Sequence, residues 1–427
     1  MRPTFLLASL AFAAPTYPDV EPVLRRKCCA CHQRGLAAPM SLGSYEEVAP
    51  RAESIREAVG SGRMPPWHAD PKHGRWANDR RLSAMERATL LGWIDAGCPR
   101  GERAGGRKGD PPPGWRIRPD VVLTMPEEEA IPAAGLIPYR FVKVPTGFTE
   151  DVWVRAAEVQ PGNRRVVHHV LIFAPRDTSG IAIDNGLLAS YLPGDDPLEM
   201  PAGYAKRIPA GTPLVFQLHY TPTGKPEKDR TSIGLVLAAE PPEYEVRTVN
   251  VEATGFVIPA GAADHRLDAR RPFNERGELL SLTPHMHLRG KSFTCELVRP
   301  GAPAETLLSV PDYDFNWQTT YRLARPKAMP VGCRIDCTAH YDNSAANPAN
   351  PDPTRDVRHG EMVTDEMMIG FVDFAVPRRD AIGHATPRRA TGRAEWASPA
   401  IWVAVGTGLL GCALAARQLR RFRASRT

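Results

Sequence analysis

Beyond Trp115 the chain alternates short apolar runs with turn residues. The runs fall at 120–125 (DVVLTM), 139–144 (YRFVKV), 166–173 (VVHHVLIF), 213–220 (PLVFQLHY) and 232–237 (SIGLVL), and the same style continues from Val251 to Phe374. Each run is rich in β-branched and aromatic residues and is bounded by Pro or Gly, the pattern of strands closed by turns. No long amphipathic helix competes. About 260 residues of this kind predict two antiparallel β-sandwiches in tandem. Upstream the period changes: Leu90, Leu91, Trp93 and Ile94 share one helical face,. Ser83 is placed to cap that helix, Glu86 to close a capping box and Gly97 to stop it,. Met85, in its first turn, reads as packing.

The two ends of the chain carry a different pattern. Residues 397–416 (ASPAIWVAVGTGLLGCALAA) hold no charge, and about 20 such residues span a ~30 Å hydrocarbon core as one helix. A buried core helix is the alternative reading. At the other end, Arg2 precedes an apolar stretch from Phe5 that closes on Ala11-Phe12-Ala13, a small-residue cleavage pattern,. The expectation is a signal peptide at 1–13, a transmembrane helix at 397–416 and a basic cytoplasmic tail at 417–427. The body would then sit on the periplasmic or other extracytoplasmic face, held by its C-terminal helix.

Composition changes this picture in two respects. With 43 Pro in 427 residues, the composition argues against a helical bundle and for strands joined by turns. The net charge of +6 points at first to an anionic partner, but Arg417, Arg420, Arg421, Arg423 and Arg426 account for nearly all of it. The rest is close to neutral and shows no basic stripe interleaved with aromatics, so no nucleic-acid partner is expected.

Residues 28–32 read Cys-Cys-Ala-Cys-His. In Cys28-x-x-Cys31-His32 two thiols lie one turn apart and an imidazole follows directly, the spacing of a c-type haem attachment motif. The thiols would form thioethers to the haem and His32 would ligate the iron. Zinc or thiol redox chemistry is the other reading of C-x-x-C. Candidates for the second axial ligand are Met40, Met64, Met85, His68 and His73. Met64 is preferred, because Pro65 and Pro66 would hold its segment rigid and present the thioether. Residues 20–100, with Ala38-Pro39-Met40-Ser41-Leu42, Met64-Pro65-Pro66-Trp67 and the Trp93-Ile94-Asp95-Ala96-Gly97 helix end, resemble a small bacterial cytochrome c domain. A linker at 101–114 follows, rich in Gly, Arg, Lys and Pro,. Of the remaining cysteines, Cys29 with Cys98, and one pair among Cys295, Cys333 and Cys337, could form disulfides.

The histidines are grouped. His168 and His169 lie in one predicted strand, His219 ends another, and His285 and His287 lie in a third. Residues i and i+2 of a strand share a face, so His285 and His287 can clamp one metal. Adjacent His168 and His169 can do so only if their strand bulges. Spacing alone admits copper or zinc.

In order along the chain stand Val167-His168-His169-Val170, Gln217-Leu218-His219-Tyr220, His285-Met286-His287 and Thr364-Asp365-Glu366-Met367. Over residues 115–376 these motifs resemble the ascorbate-dependent type II copper monooxygenases, the family of peptidylglycine α-hydroxylating and dopamine β-monooxygenases. The resemblance implies two jelly-roll-like sandwiches, here 115–250 and 251–380, each binding one copper, the two far apart across a solvent-filled cleft. It implies that His168, His169 and His219 hold an electron-storing copper. It implies that His285, His287 and Met367 form the catalytic, O₂-binding copper site. Met368 and Met362 are the neighbouring alternatives to Met367. The family's Arg, Asn and Tyr that hold a substrate carboxylate are Thr283, Ile369 and Phe371 here, which disfavours a peptidylglycine substrate. Met368 occupies the position of a family cysteine, so Cys337 would lack that disulfide partner.

The expected fold class is therefore multidomain: a small all-α cytochrome c domain, two all-β jelly-roll-like sandwiches and a C-terminal transmembrane helix. The expected function is hydroxylation of a C–H bond of a small-molecule substrate with O₂, using one covalent haem c and two copper ions. Electrons would pass from an ascorbate-like or respiratory donor to the haem, then to the three-histidine copper, then to the O₂-binding copper. A non-catalytic haem and copper electron-transfer or copper-binding protein, and a surface-binding sandwich with structural histidines, are the alternatives.

Overall fold

Along Leu214–Tyr220 the side chains from Phe216 onward alternate sides. Phe216, Leu218 and Tyr220 are buried, while Gln217 and His219 face a cavity. That period of two is the rule by which the chain builds its sheets. A computed structural model of the protein describes residues 14–33, 38, 40–102, 114–178, 180–192 and 195–378. The strand Leu214–Tyr220 lies in a four-stranded sheet ordered Arg140–Val144, Leu214–Tyr220, Val167–Phe173, Leu187–Tyr191. This sheet packs on one half of a nine-stranded sheet, through a core that includes Val154, Val159, Val170, Ile172, Phe216 and Ile233.

The path of the large sheet runs Val121–Thr124, Ser232–Leu237, Val152–Gln160, Tyr204–Ile208, Tyr244–Ala253, Met368–Pro377, Gly277–His285, Tyr321–Met329. Its second half packs on a four-stranded sheet ordered His265–Phe273, Cys333–Tyr341, Gly290–Val298, Glu305–Val310, around Leu279, Leu282, Phe293, Ile335 and Phe374. In that core Cys295 and Cys337 are cross-strand partners with their sulfurs 3.4 Å apart. The described cysteines are all thiols, and Cys29 donates to the Leu42 carbonyl rather than pairing with Cys98.

Two sandwiches thus share one sheet. All described strand pairs are antiparallel except one, where Tyr204 and Ala205 pair in parallel with Tyr244 and Glu245 at the seam. Beside that seam Lys206 is buried. Its ammonium lies 3.2 Å from Asp373 Oδ1 and donates to Thr248 Oγ1 at 2.7 Å and to the Leu187 carbonyl at 3.2 Å. Thr248 and Ser281 also donate to Asp373, at 2.7 and 2.6 Å. Lys206 and Leu187 belong to the first sandwich and the other three residues to the second, so one buried network spans the joint.

The N-terminal part holds four short helices, α1 (Tyr17–Lys27), α2 (Tyr45–Val48), α3 (Ala52–Gly60) and α4 (Ala84–Asp95). Val20, Leu24, Ile55, Leu90 and Trp93 form a small core between them. Ser83 caps α4 and Glu86 closes its capping box. Met85 is 76% exposed, because the first turn of α4 turns that position to solvent, so it is not the packing residue expected.

The fold-class expectation needs correction here. The described chain is mostly β-sandwich and has no self-contained all-α domain. Residues 61–83 contain no helix and run onto the second sandwich as an arm. Trp67 and Trp76 pack against Tyr321, with ring centroids 5.0 and 5.3 Å away. The backbone of Ala77 donates to Arg322, and that of Ala324 to Arg75. The arm covers the edge strand Tyr321–Met329, which satisfies backbone groups that the sheet would otherwise expose. At Gly74 the chain has φ +71°, and a Cβ would come within 2.9 Å of the Leu307 carbonyl, so a larger residue would displace the arm. The physical reason for the difference is that two tryptophans gain more from the sandwich core than a helical domain of this size can offer them.

The expected transmembrane anchor and the extracytoplasmic localisation resting on it are also corrected. Among the described residues no helix is long and apolar enough to cross a membrane. The longest, α4, has 12 residues, about 18 Å of helix against a ~30 Å core. Residues 1–13 and 397–427, on which the signal peptide, anchor and tail were expected, lie outside the described residues.

The seam network yields a stability prediction. Lys206→Met leaves the Asp373 carboxylate buried without its countercharge and is expected to lower unfolding free energy by about 3 kcal/mol. Combined with Asp373→Ala, the loss should be clearly smaller than the sum of the two single losses. Denaturant unfolding of the four proteins measures this, and additive losses would contradict the coupling.

Candidate metal centres

The strand Val167–Phe173 breaks register against Leu214–Tyr220 between Val167 and His169. The irregularity turns His168 and His169 to the same side, facing His219. Their ring centroids lie 4.9–5.4 Å from one another. One nitrogen from each ring falls within 4.8 Å of the others. Nδ1 of His168 and of His169 are 3.1 Å apart, and Nδ1 of His219 is buried without a partner. A buried nitrogen lone pair or N–H left unmatched is costly unless something occupies the space between the rings. Three imidazoles so placed fit a borderline-soft transition metal such as copper or zinc. Tyr139 closes the outer side, its ring 5.0 Å from His219 and 5.7 Å from His169.

His285 is the last residue of the strand Gly277–His285, and His287 follows two positions on with its ring 5.2 Å away. Both rings are held through Nδ1. That of His285 bonds Gln318 Oε1 at 2.6 Å and that of His287 bonds the Asp365 carbonyl at 3.2 Å. Such carbonyl partners fix the ring and leave Nε2 as the metal donor. Met367 faces the same cavity, whereas Met368 is fully buried in the sandwich core. The two adjacent methionines fall on opposite sides because Met368 starts a strand,. A thioether donor therefore lines the same cavity as His285 and His287, and such a donor favours copper over zinc.

All six donors line one cavity of ≈710 Å³. The resemblance implies a wide separation, yet here Phe315 touches both sets. It is stacked on His168 at 5.8 Å and edge-on to His287 at 6.1 Å. Thr283, Ile369 and Phe371 also line this cavity, with the Phe371 ring 6.0 Å from His285.

A second cavity, of ≈720 Å³, is lined by Cys28, Cys31, His32, Met40 and Met64, a size within the roughly 300–1,000 Å³ of cofactor pockets. Cys31 and His32 both bond back to the Cys28 carbonyl, at 3.1 and 2.9 Å, so the motif forms one turn directly after α1. Nδ1 of His32 lies 3.2 Å from the Met40 carbonyl, which leaves Nε2 for an iron,. These residues fit a covalent haem. Met64 and Met40 both face the cavity, while His68, His73 and Met85 do not.

Sequence reasoning did not single out Phe315, Trp317, Gln318, Tyr139 or the buried Glu366. Glu366 is fully buried and accepts from the backbone of His287 at 2.8 Å and of Arg289 at 2.7 Å. Burial pushes its carboxyl up to about 7 against those donors. The one signal for the first three was an aromatic pair inside an otherwise polar loop, Asp314-Phe315-Asn316-Trp317-Gln318.

Burial lowers every imidazole of the two sets. His219 falls to about 4, from desolvation and then from the neighbouring His168. His287 falls to about 3, from desolvation and then His285. His168, His169 and His285 move the same way, desolvation being the largest cause. All are neutral at pH 7, which is the metal-binding form. A histidine with a folded value below its unfolded ~6.5 contributes stability that is complete above that pH and lost as pH falls toward the folded value. Glu366, raised, contributes in the opposite direction. For metal-free protein the His219 contribution is isolated by comparison with His219→Gln. Between pH 6.5 and 4.5 the wild type is expected to lose stability more steeply, by up to about one proton in slope. Parallel pH profiles of unfolding free energy would contradict a desolvated His219.

No family model matches the chain, and no curated protein matches it. Among solved structures, 60% of the chain is similar to 97% of the major capsid protein P2 of bacteriophage PM2, at 10% identity and a TM-score of 0.29. A structure of allantoicase matches over 48% of this chain and 78% of that one, at 10% identity and a TM-score of 0.16. The Penaeus vannamei nodavirus T=1 particle matches over 61% and 98%, at 11% identity and a TM-score of 0.18. Likenesses this distant carry no argument about fold or function.

Proposed function

We propose that the protein is a copper-dependent monooxygenase that hydroxylates a C–H bond of a small molecule with O₂, with electrons supplied through a haem c. The observation that carries this reading is the single cavity faced by a three-nitrogen donor set and by a two-nitrogen, one-sulfur donor set. His168, His169 and His219 would hold one copper, and His285, His287 and Met367 the other. Cys28 and Cys31 would hold the haem, with His32 and Met64 as iron ligands. Copper held at these residues would supply one-electron activation of O₂ for C–H hydroxylation, a reaction that consumes two electrons and two protons and releases one water. A haem held at Cys28, Cys31 and His32 would relay those electrons one at a time from an external reductant.

The chain's own residues do the rest. Gln318 and the Asp365 carbonyl orient His285 and His287, and Glu366 fixes the backbone of His287. Ile369, Phe371 and Phe315 keep the cavity apolar beside these rings. With Thr283, Ile369 and Phe371 in place of a carboxylate clamp, the substrate portion nearest His285 is uncharged.

Metal analysis of the purified holoprotein is expected to give one Fe and two Cu per chain. His285→Ala combined with Met367→Ala should reduce copper to one per chain and lower reductant-dependent O₂ uptake by about 100-fold or more, with the haem spectrum intact. Fe without Cu would overturn the proposal. Unchanged O₂ uptake in the double variant would overturn the assignment of these residues. One Cu without O₂ uptake would favour a non-catalytic electron-transfer protein.

A further inference from the structure

The haem cavity and the histidine cavity share a wall. Ala77, Asn78, Asp196, Pro197 and Arg322 line both. The loop at 311–320, between the strands Glu305–Val310 and Tyr321–Met329, passes along this wall and places successive residues on its two sides. Trp317 lines the haem cavity. Gln318, its neighbour, lines the histidine cavity and bonds His285 Nδ1 at 2.6 Å. The loop is held by its own bonds, Trp317 N to the Asp314 carbonyl at 2.9 Å and Gln318 Nε2 to the Phe315 carbonyl at 3.3 Å. Thr320 Oγ1 donates to Asp195 Oδ2 at 3.0 Å, next to the shared-wall residue Asp196. Cys31 lines the haem cavity together with the shared-wall residues Asp196 and Arg322.

Resting on the function proposed above, we infer that Trp317 and Gln318 form the electron path from the haem to the copper at His285, His287 and Met367, and that this copper is the first acceptor. The three-histidine set meets this loop through the Phe315 ring stacked on His168, a ring contact rather than a hydrogen bond to a ligand. The order expected from the sequence, with the three-histidine copper receiving first, is thereby reversed. In the step one electron leaves Fe(II), which becomes Fe(III), and reduces Cu(II) to Cu(I). No bond forms or breaks and no proton moves. Trp317 contributes a conjugated ring at the haem side, and Gln318 a direct hydrogen bond to the ligand.

The test uses the full chain loaded with haem and two Cu(II), without O₂, after flash photoreduction of the haem. Ferrous haem absorbance and freeze-quenched Cu(II) resonance are followed together. In the wild type the signal of the sulfur-ligated copper should disappear first, in step with haem reoxidation. Trp317→Leu should slow reoxidation by about tenfold or more, with the haem midpoint potential and the copper content unchanged, while Trp317→Phe stays within about threefold of wild type. Gln318→Met, which keeps the haem side intact, should slow it as well. An unchanged rate in Trp317→Leu and Gln318→Met, or earlier loss of the three-nitrogen copper signal, would overturn the path. A wild-type protein that holds no haem or no copper would instead overturn the function itself, and the path with it.

Discussion

The buried charge pair between Lys206 and Asp373 is the constraint on which the remaining architecture depends. A lysine ammonium and a carboxylate removed from water persist only when each meets the other and further hydrogen bonds complete their shells. Here Leu187, Thr248 and Ser281 complete them. Burial alone would raise the Asp373 carboxyl, but the Lys206 charge and the two hydroxyls outweigh it and hold the carboxyl below its ordinary range. Because these partners come from both sandwiches, the network fixes how the two halves of the nine-stranded sheet meet. Only a fixed seam lets two separate β-cores present their histidines to one cavity.

Desolvation then works on the histidines in the opposite sense. Five rings are held neutral by an environment that disfavours their charged form, which is the state that donates a lone pair to a metal. The same desolvation makes these rings a source of stability that is lost as pH falls below about 6.5,. Phe315 and Phe371 line the same cavity, each with its ring against one or two of these imidazoles.

Much of this was legible in the sequence where local rules decide. The apolar runs at 139–144, 166–173 and 213–220 are strands, and Ser83 and Glu86 cap α4. The adjacency of His168 and His169 required a bulge, and a register break lies there. The pairing of His285 with His287 followed from the period of two. What was hidden depends on contacts distant in sequence. Nothing local says that Trp67 and Trp76 leave the helices to pack on Tyr321, and the haem motif drew the whole N-terminal stretch into a single helical domain. The parallel pairing at Tyr204 and Tyr244 has no sequence signature. The loop at 311–320 reads as an ordinary polar turn, and its importance arises only from the two cavities on either side of it.

The most direct test of the account is anomalous diffraction from crystals of the haem- and copper-loaded protein, with data collected on both sides of the copper edge. Two copper peaks are expected in the one cavity, the first among His168, His169 and His219 and the second bounded by His285, His287 and the Met367 sulfur. A single peak, or copper bound outside these two sets, would contradict it.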